Sequence, residues 1–252
     1  MKIVQSGTRT ADNALARIER NRDRASRAAE VSARRIIEQI RRKGDEAAAA
    51  AVEKFDGVTI PAAEMVIAPK QSSIDAALDA AIDLAIERIE RFHRPQLPTG
   101  HRFSSDGTEL IHRIRPLRRV GIYVPGGSAV YLSTLIMCAV PARIAGVAEL
   151  VVATTPSAAA QPAFLECCRR LGISQIYRAG GAAGIAAMAF GTATLQRVDK
   201  IVGPGNAYVT AAKKLLVGRV GIDMLAGPTE LVLIADDAAD AKLAAADLLA
   251  QA

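Results

Sequence analysis

The stretch Val198-Asp199-Lys200-Ile201-Val202-Gly203-Pro204-Gly205-Asn206-Ala207-Tyr208-Val209-Thr210 decides how this chain is read. Val198 to Val202 has the apolar skeleton of a short strand, and Gly203-Pro204-Gly205 makes a tight turn. The chain then enters a good helix pattern, Ala207 to Leu216, with Asn206 placed to cap it. A strand that turns through glycine into a helix start presents backbone N–H groups and a positive helix end to an anion such as a dinucleotide pyrophosphate. A second glycine turn, Gly121-Ile122-Tyr123-Val124-Pro125-Gly126-Gly127-Ser128, follows another strand upstream. The pair suggests a nucleotide cleft, although the full dinucleotide fingerprint is absent. Tyr208 stands where the third glycine of G-x-G-x-x-G belongs.

Working outward, the pattern alternates. Glu149 to Thr154 is a buried strand, Gln161 to Gly172 a helix with Pro162 in its first turn, Ser174 to Arg178 a strand and Gly184 to Gly191 a short helix. Leu231 to Ala235 is expected as a further strand and Asp237 to Ala252 as a helix. Ser133 to Gly146 is a helix pattern interrupted by Pro141, where a kink or break is expected. Strand–helix alternation at this spacing argues for an α/β fold, a parallel sheet between layers of helix.

The section before about residue 115 is mostly helical. Ala29, Ala33, Ile36, Ile37 and Ile40 keep the helical period, Gly44 ends that helix, and Asp45 is placed to cap the next one, which ends near Phe55-Asp56-Gly57. Ser72-x-x-Asp75 resembles a capping box ahead of a helix carrying Leu78, Ile82, Ala85 and Ile89 inward. Thr108 to Arg115 and Arg118 to Val124 are extended segments around Pro116.

Composition limits the partners. The chain has 252 residues, 50% hydrophobic and 23% charged, enough for one large or two modest globular domains. No apolar run is long enough to span a bilayer, and the polar N-terminal stretch carries no signal-peptide apolar region, so neither membrane nor export is expected. The net charge of +6 raises nucleic acid as a partner. However, Glu19, Asp23, Glu30 and Glu38 are interleaved with the N-terminal arginines, which describes a solvated helix surface. There is no Trp and only 4% aromatic content, so stacking platforms are scarce and no nucleic acid is expected. Cys138, Cys167 and Cys168 are expected as reduced thiols of a cytoplasmic protein.

The glycine turns and the sequence joining them resemble the histidinol dehydrogenase family. The resemblance runs through Val120 to Gly127, Pro141-Ala142-Arg143-Ile144-Ala145-Gly146, Gly180-Gly181-Ala182, Ala189-Phe190-Gly191-Thr192 and Val198 to Thr210. It continues through Ile222-Asp223-Met224, Ala226-Gly227-Pro228, Ile234-Ala235-Asp236 and Asp247 to Ala252, with weaker agreement at Gly44-Asp45, Lys54-Phe55-Asp56 and Phe92-His93. It implies two related, incomplete Rossmann-like parallel-sheet domains of the aldehyde/histidinol dehydrogenase type with a helical N-terminal segment. Residues 1–120 plus 231–252 would form a discontinuous first domain and 121–230 an inserted second domain holding the NAD site. It also implies NAD- and zinc-dependent oxidation of L-histidinol to L-histidine through the aldehyde, the last steps of histidine biosynthesis, by a homodimer.

By the same resemblance, Tyr123 and Asn206 line the NAD site, Thr229 and Gln251 contact substrate, and Gln251 is a zinc ligand. From the residues alone, Tyr123 is equally a core strand position, Asn206 a helix cap and Gln251 a solvated helix residue. The family's Glu-His acid–base pair and its remaining Asp and His zinc ligands fall beyond Ala252. The chain is therefore expected to be an N-terminal part of a longer enzyme, inactive by itself, with no catalytic residue of its own. Two departures bear on the site: Ala183 stands where the family has a Gln that contacts NAD, and Thr229 replaces a substrate-contacting Ser. They leave open a related dehydrogenase for another amino- or hydroxyl-bearing alcohol, and the missing groups leave open a non-catalytic nucleotide-binding remnant. His93, His101 and His112 show no ligand spacing.

Overall fold

A computed structural model describes residues 7–126, 131–226 and 231–251. In chain order the helices and strands are α1 (Arg9–Lys43), α2 (Asp45–Asp56), β1 (Val66–Ile67), α3 (Ala76–His93), β2 (His101–Ser105), β3 (Thr108–His112), β4 (Arg119–Tyr123), α4 (Leu132–Ile144), β5 (Glu149–Ala153), α5 (Pro156–Ala159), α6 (Pro162–Arg170), β6 (Ile173–Tyr177), α7 (Gly181–Phe190), β7 (Lys200–Val202), α8 (Ala207–Leu216), β8 (Gly221–Ile222) and α9 (Ala241–Gln251). β2 and β3 form a separate antiparallel hairpin, exposed on both faces. The other six strands form one sheet in the order β1-β6-β5-β4-β7-β8, parallel except where β1 pairs antiparallel with β6.

The sheet is parallel because its strands are apolar on both faces and helices cover both. Side chains alternate along each strand. Val120, Ile122, Leu150 and Val152 enter a core with Ile82 of α3, Leu135 and Ile136 of α4, and Phe164 and Leu165 of α6. Tyr123, Val151 and Ala153 enter the opposite core with α1, α2, α7 and α8. α7 is buried at every residue from Ala182 to Ala189, because the sheet lies on one side of it and α1, α2 and α8 on the others. Its fully buried Ile185 and Met188 each contribute about 1.5–3 kcal/mol by leaving water.

Four local expectations are corrected. α4 runs unbroken through Pro141; the carbonyl that loses its donor belongs to Met137, on the exposed side of the helix. Residues 231–235 form no strand, since no neighbouring strand lies beside them among the described residues and Val232 and Ile234 are exposed. Asp75, rather than Ser72, caps α3, accepting N–H bonds from Ala77 and Leu78 at 2.9 and 3.3 Å. The Ser72 N–H goes instead to Glu166 Oε2 at 3.2 Å.

Asp45 does not cap α2. Gly44 holds the N-cap position, and the buried Asp45 carboxylate accepts from Tyr177 Oη at 2.8 Å and from the Thr194 N–H and hydroxyl at 2.9 Å each. The start of α2 is thereby tied to the end of β6 and to the loop before β7. Burial, first, and the Asp45 carboxylate beside it raise the Tyr177 phenol far above its ordinary value, so it stays a neutral donor.

Candidate cofactor cleft

β4 is the centre of the sheet. The chain moves outward from it through β5 and β6, then returns to its other side with β7 and β8. The order therefore reverses between β4 and β7, and in open α/β sheets ligands bind in the crevice beyond the carboxyl ends of the strands at such a point. Here both crevice-forming segments are the glycine turns singled out in the sequence. Gly203, at φ +112°, passes so close to β4 that a Cβ would lie 2.2 Å from the Tyr123 carbonyl oxygen. At Gly126 a Cβ would lie 1.9 Å from Thr155 Oγ1. Only glycine permits either approach.

A cleft of about 1480 Å³ opens over these turns. Its floor is Tyr123, Gly126, Thr155, the first turn of α7 and the start of α8 at Asn206 and Tyr208; its opposite wall comes from α1 and α2, including Arg35, Arg42, Phe55 and Asp56. The helix starts of α7 and α8 thus share one cavity, and each has unbonded N–H groups in its first turn. Asn206 Oδ1 takes two of them, from Tyr208 and Val209 at 3.1 Å each, which leaves its amide NH2 to donate elsewhere. Tyr123 Oη accepts the Gly181 N–H at 2.8 Å. Burial pushes the Tyr123 phenol up, the Gly181 N–H offsets part of that, and the nearby Asp56 carboxylate adds to the rise. Tyr123 is a neutral hydroxyl at physiological pH. Desolvation also raises the Asp56 carboxyl above its ordinary value. The lining carries Arg34, Arg35, Arg42, Lys43 and Lys54 against Glu38, Glu46 and Asp56, so charge and helix ends together favour an anion.

Of the residues singled out in the sequence, Tyr123, Asn206 and Ala183 meet in this cleft. Thr229 lies outside the described residues. Gln251 is exposed near the end of α9 and does not line the cleft. His101 and His112 face each other across the β2–β3 hairpin with ring centroids 5.0 Å apart, and His93 bonds Gln96 through Nδ1 at 3.2 Å. Among the described residues no group of three or more His, Cys, Asp or Glu could hold a metal ion. The cysteines are free, and burial pushes Cys138 up to about 11 and Cys167 up to about 12, so neither is a thiolate at neutral pH.

One part of the site went unnoticed in the sequence. Lys213, on the buried face of α8 with Val209, Ala212 and Leu216, is 0% exposed. Its Nζ donates to the Gly203 carbonyl at 2.9 Å and to Asp223 Oδ1. Asp223 Oδ2 accepts the Gly203 N–H at 2.7 Å. A lysine where the helical period demands an apolar residue was the available signal.

A family model for histidinol dehydrogenase matches residues 18–252. Curated relatives named histidinol dehydrogenase include one from Symbiobacterium thermophilum, 47% identical over 232 residues, and one from Bradyrhizobium diazoefficiens, 48% identical over 232 residues. Each match covers 88% of this chain and 53% of the relative, so the chain spans about half the length of the curated relatives it matches. The crystal structure of histidinol dehydrogenase from Elizabethkingia anophelis superposes with a TM-score of 0.76 at 33% identity, over 100% of this chain and 55% of that one. This chain belongs to the histidinol dehydrogenase family.

Proposed function

We propose that this chain carries the NAD-binding part of a zinc-dependent histidinol dehydrogenase, which oxidises L-histidinol through the aldehyde to L-histidine in the last steps of histidine biosynthesis. The observation that carries the proposal is the convergence of two glycine turns and two helix N-termini on one cleft at the topological switch point of the sheet. The cleft suits a dinucleotide: glycine lets both turns lie close to the strand and loop that floor it, and the Asn206 and Ala207 N–H groups at the start of α8, which the Asn206 side chain does not take, suit a pyrophosphate. Asn206 holds the start of α8 through its carbonyl and offers its amide NH2 to a phosphate or ribose oxygen. Tyr123, fixed by the Gly181 N–H, keeps its own phenolic proton for a ligand acceptor. When bound, NAD accepts a hydride from the substrate carbon.

The described residues do not fit zinc, since no group of three or more His, Cys, Asp or Glu among them could hold the ion and Gln251 would supply a single neutral oxygen. On this proposal Gln251 and Thr229 serve metal and substrate only together with groups from the half of the relatives' length that this chain does not span. The acid–base pair comes from there too, so the 252-residue chain alone does not turn over histidinol. A cytoplasmic homodimer, with 1–120 plus 231–252 as one domain and 121–230 as the other, completes the proposal for the whole enzyme.

The test is calorimetric titration of NAD into this chain and its Asn206→Ala variant, alongside NADH production from L-histidinol. Weak saturable binding, weakened further by Asn206→Ala, with no NADH formed, is expected. Binding that ignores the substitution would make Asn206 a helix cap and nothing more, and steady NADH production would overturn the division of labour. NAD binding together with catalysis on another amino alcohol, by the full-length enzyme, would favour a related dehydrogenase, as Ala183 and Thr229 allow.

A further inference from the structure

The Gly203 turn is held from behind by charge. Lys213 Nζ donates to the Gly203 carbonyl at 2.9 Å, Asp223 Oδ2 accepts the Gly203 N–H at 2.7 Å, and Lys213 and Asp223 pair with each other. Both peptide groups flanking one glycine Cα are therefore fixed by one ion pair, although that glycine sits at φ +112° where a strand ladder could not hold it. The arrangement is costly. Lys213 is 0% exposed, and taking an ammonium out of water is repaid only by good geometry and full hydrogen bonding. An apolar residue would pack the same face of α8 between Val209 and Leu216 without that cost, so packing does not explain the lysine.

The same helix reaches one step further. Asp223 Oδ1 accepts the N–H of Met224 at 2.7 Å, and Thr210 Oγ1 donates to the Ala226 carbonyl at 2.7 Å. α8 thus grips both the dinucleotide turn and the segment 223–226 after β8.

We infer that Lys213 and Asp223 are positioning residues for the dinucleotide: they do not line the cleft, but they set the Gly203-Pro204-Gly205 turn so that the Asn206 amide faces it. The inference rests on the proposal that the cleft binds NAD. Lys213→Met keeps the apolar stem and removes the charge; Asp223→Ala removes the carboxylate and with it the acceptor of the Gly203 N–H. In either variant the turn is released from one side, and Asn206 is displaced relative to Tyr123 on the far side of the crevice.

The test measures NAD affinity by calorimetry, amide hydrogen exchange at Gly203, Gly205 and Asn206, and urea stability, for the 252-residue chain and both variants. Glu166→Gln serves as a comparison that disturbs the opposite helix layer, where Glu166 pairs with Arg169 and Arg170. The expected result is at least about tenfold weaker NAD binding in each folded variant, with faster exchange confined to the turn. Glu166→Gln should lose stability with NAD affinity unchanged. If one variant fails to fold, the other gives the same reading. Unchanged affinity in a folded variant, or equal loss of affinity in Glu166→Gln, overturns the positioning role while leaving the cleft as an NAD site. Absence of any saturable NAD binding by the unaltered chain overturns the cofactor proposal itself, and the positioning role with it.

Discussion

Gly203→Ala separates what glycine does for the turn from what it does for backbone freedom. At φ +112° any L side chain is strained, by about 1–3 kcal/mol. The new Cβ also lands 2.2 Å from the Tyr123 carbonyl oxygen, a backbone atom that cannot rotate aside. The turn must retreat by close to an ångström, which breaks the Gly203 N–H bond to Asp223 or the Lys213 bond to the Gly203 carbonyl. A hydrogen bond to a charged group is worth about 1.5–3 kcal/mol. Together these give a loss of about 2.5–6 kcal/mol. Gly218 provides the control: it sits at φ +86° with nothing within 4 Å of a built Cβ, so Gly218→Ala should cost strain alone, about 1–3 kcal/mol. Urea unfolding should show the midpoint falling at unchanged slope, with the Gly203 variant lower by at least about 1.5 kcal/mol. Equal losses in the two variants would refute the close approach between the turn and β4.

Ala183→Gln, in the first turn of α7 and lining the cleft, should restore one cofactor hydrogen bond worth about 0.5–1.5 kcal/mol, up to about tenfold in NAD affinity by calorimetry. Asp45→Ala removes three acceptor contacts from a buried carboxylate and should cost about 3 kcal/mol, a fall in Tm of roughly 6–12 °C by calorimetric scanning; Tyr177→Phe should cost about 1 kcal/mol. Glu166 is held at about 2, below its ordinary 4.5, by the Arg169 and Arg170 side chains. A depressed carboxylate stabilises the fold above its unfolded value and loses that contribution as pH falls from 4.5 towards 2. The stability difference between the native chain and Glu166→Gln should be flat above pH 5 and shrink across that window.

The turn at the heart of the site was legible because its signals are local. Gly203-Pro204-Gly205 admits few conformations, and Asn206 caps α8 over Ala207–Leu216 as its position before an apolar period suggests. The local pattern puts the start of α7 at Gly184, but the helix begins at Gly181, because a Gly-Gly pair usually marks a turn and the acceptor for the Gly181 N–H comes from Tyr123, distant in sequence. Asp45 and Ser72 depart from local capping because other partners take their groups: Tyr177 and Thr194 bond the Asp45 carboxylate, Glu166 accepts the Ser72 N–H, and the Ser72 hydroxyl donates to the Lys70 carbonyl. The cleft's second wall, from α1 and α2, is a long-range fact that no local window contains, whereas the Lys213–Asp223 pair shows locally only as a lysine on the apolar face of α8.

The way α1 lies across α7 and α8 has a consequence for biosynthesis. A ribosome releases α1 and α2 well before α7 and α8, which cover most of the apolar stripe of α1. Until α8 emerges, Ala33, Ile36 and Ile40 have no lasting shelter, and the wall carrying Arg35 and Phe55 has nothing to face. Slow translation before α7 prolongs that exposure, so aggregation during expression should respond to codon choice upstream of Gly181 more than to choice downstream of Leu216.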